Sequence, residues 1–323
     1  MSEPNTPRAP GEPRKPEQDI TGQVARENGV VETETGMIDH GLSTDGLGSP
    51  ALEARGLVKD FRGPRQGFLR RSTFRAVKGV DLSLHRGRIT ALVGQSGSGK
   101  STVGRMLAQL IPITEGTLLL DGTDVTNAKG NAFRRYTNRV QMTLQDPFAS
   151  LNPVHRVSYI LGRALTIHGK AKGTEACEAA SIELLKKVNL NPPERYLHRF
   201  PHELSGGERQ RISFARALAA EPEVLLADEP VSMLDVTIRK EILDLMDHLC
   251  SSENLAVLYI THDLGSARTY SDDTLVMYHG EVVERGSSAQ VIDDPRHEYT
   301  RRLLAAAPNP RRRREEQTRR GDA

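Results

Sequence analysis

The sequence predicts an α/β fold with a mixed sheet, an antiparallel β-subdomain and a helical insert. Three observations carry that reading. A short, partly β-branched run, Ile89 to Val93, reads as a buried strand; a glycine-rich loop follows it, then a helical pattern from Thr102 to Leu110. Ahead of it, Glu53 to Asp60 and Phe74 to Leu84 alternate as two antiparallel strands do. Beyond it, Val157 to Ile167 and Glu178 to Val188 carry apolar residues at three- and four-residue spacing, the mark of helices.

The glycine-rich loop is Gly94-Gln-Ser-Gly-Ser-Gly-Lys-Ser-Thr102. Gly94, Gly99, Lys100 and Ser101 hold the fixed places of the phosphate-binding pattern G-x-x-x-x-G-K-[ST]. Glycines let the backbone curl so that successive N–H groups point inward and form an anion nest. The helix that begins there adds its positive end. The candidate nucleotide-binding set is therefore Gly94, Ser96, Gly97, Ser98, Gly99, Lys100, Ser101 and Thr102. Lys100 is placed to reach the β- and γ-phosphates, and the Ser101 hydroxyl to coordinate Mg²⁺. A plain Gly/Ser linker before a helix would explain neither the Lys-Ser pair nor the preceding strand.

Bulk composition narrows the class. At 323 residues the chain has room for about two domains. A net charge of +2 supplies no global basic field, so no nucleic-acid partner is expected. Two cysteines, Cys177 and Cys250, make neither a disulfide framework nor a four-ligand metal site, and they point to a reducing compartment. No run approaches 18 apolar residues, and the N-terminus lacks a signal-peptide pattern. A cytoplasmic location is expected.

Residues 1–50 carry Pro4, Pro7, Pro10, Pro13 and Pro16 and then a polar stretch without period, and are expected to be disordered. Arg62 to Ser72, with Gly63, Pro64 and Gly67, reads as a loop. Phe61, at the end of the first strand, is either a core phenylalanine or an aromatic face for a purine. Gly116 to Gly122 reads as a strand entering a turn. Arg139 to Gln145 reads as a strand stopped by Pro147 and Pro153. The helical insert spans about 146–215. Within Glu203-Leu-Ser-Gly-Gly-Glu-Arg-Gln-Arg211, Ser205 is a helix cap, and Gly206 and Gly207 leave backbone N–H groups bare for phosphate. Val224 to Ala227 is a buried strand that delivers Asp228 and Glu229, a carboxylate pair suited to a metal and a water. Ser232 to Asp235 connects tightly to a helix from Thr237 to Cys250. Leu255 to Ile260 is a further strand, delivering Thr261, His262 and Asp263, and a hairpin turns at His279-Gly280. A short helical extension over 291–307 precedes an arginine-rich tail, 308–323, read as disordered.

The order of these motifs resembles the nucleotide-binding domain of ABC ATPases over about residues 52–290. Leu204-Ser-Gly-Gly207 is the sharpest marker. The resemblance implies a P-loop ABC ATPase that uses ATP and Mg²⁺. Asp228 then holds Mg²⁺ together with Ser101 and Gln145, and Glu229 polarises the attacking water as general base. His262 contacts the γ-phosphate, and Gln145 is the lid-loop glutamine. Phe61 stacks on adenine where the family usually has Tyr. Ser205, Gly206, Gly207, Glu208 and Asp235 serve an ATP molecule held by a second ABC ATPase subunit, identical or closely related.

Three stretches, Gly67-Phe-Leu-Arg-Arg71, Gln145 to Pro153 and His297-Glu-Tyr-Thr-Arg-Arg-Leu-Leu304, are similar to the oligopeptide/dipeptide importer ATPases. Relatives often read Tyr at Phe148, Pro at Glu298 and Ala at Met233; Ala227 is a further, small departure. The cysteine cluster some of them carry is missing from this sequence, so no iron–sulfur cluster is expected. This likeness implies an energy-coupling subunit at the cytoplasmic face of the membrane. Its partners are two transmembrane permeases and, indirectly, an extracytoplasmic solute-binding protein. Nickel and related solutes use similar ATPases. A soluble ABC ATPase of ribosomes or DNA repair would usually have two ATPase domains or a long coiled coil. A non-hydrolysing partner would not need Lys100, Asp228, Glu229 and His262 together.

Overall fold

The computed structural model describes residues 31–32, 36–41, 48–66, 70–146 and 150–306. Its strands are β1 (Val31–Glu32), β2 (Ile38–Asp39), β3 (Leu52–Gln66), β4 (Arg70–Leu84), β5 (Arg88–Val93) and β6 (Glu115–Leu120). They continue with β7 (Thr123–Asp124), β8 (Val140–Thr143), β9 (Val224–Asp228), β10 (Ala256–Thr261), β11 (Asp273–Tyr278) and β12 (Glu281–Ser287). The helices are α1 (Lys100–Leu107), α2 (Gly130–Arg139), α3 (Val157–Ile167), α4 (Thr174–Lys187) and α5 (Glu194–Leu197). After them come α6 (Gly206–Leu218), α7 (Val236–Ser252), α8 (Leu264–Tyr270), α9 (Ser288–Asp293) and α10 (Glu298–Ala306).

The larger sheet is mixed, in the order β1-β2-β12-β11-β5-β10-β9-β8. β8, β9, β10, β5 and β11 run parallel, and β12 returns antiparallel to β11. Its central strands are apolar on both faces because both faces are covered. Ile89, Ala91 and Val93 of β5 face a core filled by Leu161, Phe214, Leu245 and Met246 from α3, α6 and α7. Leu92 points the other way, to α1 and the smaller antiparallel sheet, β4-β3-β6-β7. Helices of the expected insert thus share a core with the sheet, and α6 crosses the expected boundary at 215.

Three differences from the sequence reading have local causes. β3 and β4 continue through most of the expected 62–72 loop, with Arg62 opposite Thr73 and Gln66 opposite Arg70. A register shift between Arg62 and Arg65 absorbs Gly63-Pro64. β6 stops pairing with β3 at Val58, so beyond it β3 has an edge on which proline costs no ladder bond. Second, β2 belongs to the stretch expected to be disordered, yet Ile38 and Asp39 pair with Glu284 and Arg285 of β12. Arg285 Nε donates to Asp39 at 2.8 Å, and the buried His40 Nε2 lies 2.7 Å from Glu284 Oε1. Two residues have no period to read. Third, the sequence shows no apolar period over α2, where Tyr136 is the one buried side chain. The readings of residues 1–30, 33–35 and 42–47, of Gly67, Pro147 and Phe148, and of the 308–323 tail lie outside the described residues.

Candidate active site

Four neighbouring parallel strands, β8-β9-β10-β5, deliver chemistry at their C-terminal ends. Gln145 follows β8, Asp228 ends β9 with Glu229 next, His262 follows β10, and Gly94 follows β5. Residues up to 168 positions apart in sequence, from Gly94 to His262, therefore meet along one sheet edge.

The loop between β5 and α1 is possible only with glycine at its two ends. At Gly94, φ is 151° and a Cβ would sit 2.2 Å from the Met277 carbonyl oxygen. At Gly99, φ is 110° and a Cβ would sit 2.8 Å from the Ala76 carbonyl oxygen. Gly280 N–H donates to Ser98 O at 2.9 Å, tying the loop to the β11–β12 turn. Lys100 is 4% exposed, and its Nζ donates to Gly94 O at 2.7 Å and Gln95 O at 2.8 Å. Burial pulls the ammonium below the usual lysine range, opposed by the nearby Glu229 and Asp228.

Ser101 Oγ donates to Asp228 Oδ1 at 3.0 Å. Burial pushes the Asp228 carboxyl above the usual range, against that hydrogen bond. The two oxygens make a pair of hard donors of the kind a divalent cation takes, with further positions left to phosphate and water. Glu229 has a left-handed backbone, φ 45°, with its N–H donating to Ile260 O at 2.9 Å. Gln145 Nε2 donates to Glu229 Oε2 at 2.9 Å, and His262 Nδ1 lies 3.5 Å from Oε1. Of the predicted residues, Glu229 thus sits between Gln145 on one side and His262 on the other.

Phe61, Ser96, Gly97, Gly99, Lys100, Ser101, Thr102, Gln145 and Glu229 border one open groove of about 270 Å³. Phe61 is 39% exposed, so it is not a core phenylalanine, and Lys59 Nζ lies 5.2 Å from its ring centroid. Its register partner Phe74, 66% exposed, borders the same groove, and no sequence signal singled it out. Pairing the two predicted strands would have found it, had not several bulges intervened in their register.

The glycine pair of α6 lies apart from this groove. Ser205 caps α6 reciprocally: its Oγ accepts from Glu208 N at 3.2 Å and Glu208 Oε2 accepts from Ser205 N at 2.8 Å. A Cβ on Gly206 would meet Leu234 at 3.0 Å, and one on Gly207 would meet Ile238 at 2.5 Å. Both glycines therefore also serve the close packing of α6 on the start of α7. Asp235 caps α7, its Oδ1 accepting from Thr237 N at 3.1 Å and Ile238 N at 3.0 Å.

Residues 77–232 match the family model described as ABC transporter. The dipeptide transport ATP-binding protein DppF of Lactococcus lactis is 44% identical over 245 residues, 75% of this chain and 78% of that protein. The glutathione import ATP-binding protein GsiA of Salmonella paratyphi A is 40% identical over 263 residues, 81% of this chain and 42% of that protein. The dimeric post-hydrolysis structure of the ATP-binding cassette MJ0796, bound to ADP and Pi, has a TM-score of 0.64 at 26% identity. It covers 73% of this chain and 98% of that one. Identity of 44% across most of both chains rules out a chance phosphate loop. The chain belongs to the ABC transporter family, as one of its ATP-binding, ATP-hydrolysing cassettes.

Proposed function

We propose that this cassette is the energy-coupling subunit of a peptide importer. The observation that carries the solute class is the 44% identity to a dipeptide transport protein over 78% of that protein's length. The glutathione import relative, named for another peptide, supports it. In this reading residues 51–290 are the ATPase domain, and 291–307 an extension of the peptide-importer type. No helix among the described residues is long and apolar enough to cross a membrane. Permeation is assigned to two separate membrane subunits, with this chain at their cytoplasmic face.

The site residues take these roles. Phe61 stacks on adenine; Ser96 to Thr102 wrap the phosphates with backbone N–H groups, and Lys100, steadied by Gly94 O and Gln95 O, turns its third N–H to the γ-phosphate. Ser101, Asp228 and Gln145 fit Mg²⁺ by donor type, and the burial that raises Asp228 is what a bound cation would offset. Bound there, Mg²⁺ would neutralise charge on the phosphates. Glu229 orients the attacking water and takes its proton as the bond from the γ-phosphorus to the leaving oxygen breaks. His262 contacts the γ-phosphate. Ser205 to Glu208 and Asp235 face the ATP of a second cassette, so the chain works as a dimer; the similar cassette MJ0796 was solved as one.

The test uses Glu229→Gln, which is expected to bind ATP, close the dimer and stall. Tagged protein is extracted from native membranes with ATP and Mg²⁺ present, and its companions are identified. Two permeases with a second ABC ATPase, or with a second copy of this chain, would be the expected result. Ribosomes, or no membrane partner, would overturn the importer reading and leave the ATPase.

A further inference from the structure

We propose that Tyr299, on the C-terminal helix α10, is a positioning residue for ATP binding, acting through the Gly94–Gln95 peptide to fix Lys100. This rests on reading the phosphate loop as the ATP site. The backbone N–H of Gln95 donates to the Tyr299 hydroxyl at 3.0 Å. The carbonyl of that same peptide, Gly94 O, accepts from Lys100 Nζ at 2.7 Å. In a planar trans peptide the N–H and C=O point to opposite sides, so a bond to one aims the other. Gly94, at φ 151°, has no side chain to hold its peptide in one direction, and an outside anchor keeps that direction. Tyr299 supplies that anchor from 204 residues away.

The anchor is itself held firmly. Tyr299 is 7% exposed, and its ring stacks on Tyr278 of β11 at 4.0 Å between centroids. Burial pushes its phenol above the ordinary range, so the hydroxyl stays neutral. The approach of α10 is set by Glu284 of β12, which is fully buried. Glu284 Oε1 accepts from Arg296 N at 2.8 Å and Oε2 from His297 N at 3.2 Å, and His40 Nε2 lies 2.7 Å from Oε1. A buried carboxylate with this many partners is costly to break, which makes it a firm base for the strut. β2, β12 and the extension thus converge to hold one hydroxyl against the phosphate loop.

Tyr299→Phe keeps the ring and its stacking and removes only the hydroxyl. On the full chain, the dissociation constant for a fluorescent ATP analogue and the ATPase KM are expected to rise about two- to tenfold, the worth of one net hydrogen bond. The kcat should change less than KM, and the melting temperature should fall by no more than about 2–4 °C, the share that the same hydrogen bond gives the fold. Unchanged affinity and KM would overturn the proposal, as would a larger fall in melting temperature. Lys100→Ala is measured alongside. Should it keep ATP affinity, the reading of the loop itself fails; should it lose affinity while Tyr299→Phe is unchanged, only the role of Tyr299 fails.

Discussion

The two ends of the parallel strands treat charge in opposite ways. At the N-terminal end, Arg86, Asp121, Arg139 and Glu223 form a closed square in which each carboxylate faces two guanidinium groups. Arg86 donates to Asp121 at 2.8 Å and to Glu223; Arg139 donates to Glu223 Oε2 at 2.7 Å and to Asp121. Arg139 and then Arg86 hold the Glu223 carboxyl below the usual range. At the C-terminal end, Asp228 and Glu229 stand side by side, Asp228 is raised by burial, and Lys100 bonds loop carbonyls instead of a carboxylate. Glu229 adds a left-handed backbone, which for a non-glycine residue costs on the order of 1–3 kcal/mol. One end is neutralised in the resting fold; the other is completed by what it binds. Stability is therefore expected to reside at the first and turnover at the second.

The sharpest way to break that comparison is Glu229→Gln. Removing the general base should lower kcat by roughly 100- to 10,000-fold, the usual range for a positioned acid or base. Gln keeps the volume and one acceptor for Gln145, so the melting temperature should hold. ATPase rates and thermal melting on the same preparation decide it. A large loss of stability with the loss of rate would mean that the carboxylate is part of the fold's own support.

A middle-sized effect is expected at the groove mouth. Phe61→Ala should weaken ATP affinity about fivefold to tenfold, toward the low end of base–aromatic stacking, with kcat at saturating ATP little changed. Equilibrium titration and the KM–kcat split check it. The same measurement on Phe74→Ala shows whether the cross-strand partner shares the purine face.

How much of this was legible in the sequence depends on whether a residue belongs to a spaced pattern. The loop from Gly94 to Thr102, the pair Asp228-Glu229 and His262 were legible because each follows a short apolar strand at a fixed offset. Phe61 was legible as a position but not as an exposed one, since the hairpin runs on past Gly63-Pro64 through a bulge no local rule locates. Gly206 and Gly207 read as bare N–H groups, while their packing against Leu234 and Ile238 needed the helix crossing. β2 was illegible because two residues carry no period. The Tyr299–Gln95 bond and the Arg86–Asp121–Arg139–Glu223 square were illegible for another reason. They join turns and helix ends far apart in sequence, and charge in a connecting segment says nothing about its partner.

That square gives the smallest and most specific test. Because the folded-state pKa of Glu223 is depressed, its contribution to stability is fully present above the unfolded value, about 4.3, and is lost as pH falls through the folded one. Glu223→Gln should lower the melting temperature at pH 7 by about 2–4 °C, the shift expected for ~1 kcal/mol in a domain of this size. The gap to wild type should narrow as pH falls below about 4, since the wild-type carboxyl is then protonated as well. KM for ATP at pH 7 should not move. A gap independent of pH would mean that Gln fails by shape rather than by charge. A change in KM would mean that the two ends of the sheet are coupled, and that the square helps to set the phosphate end instead of only holding the strands in register.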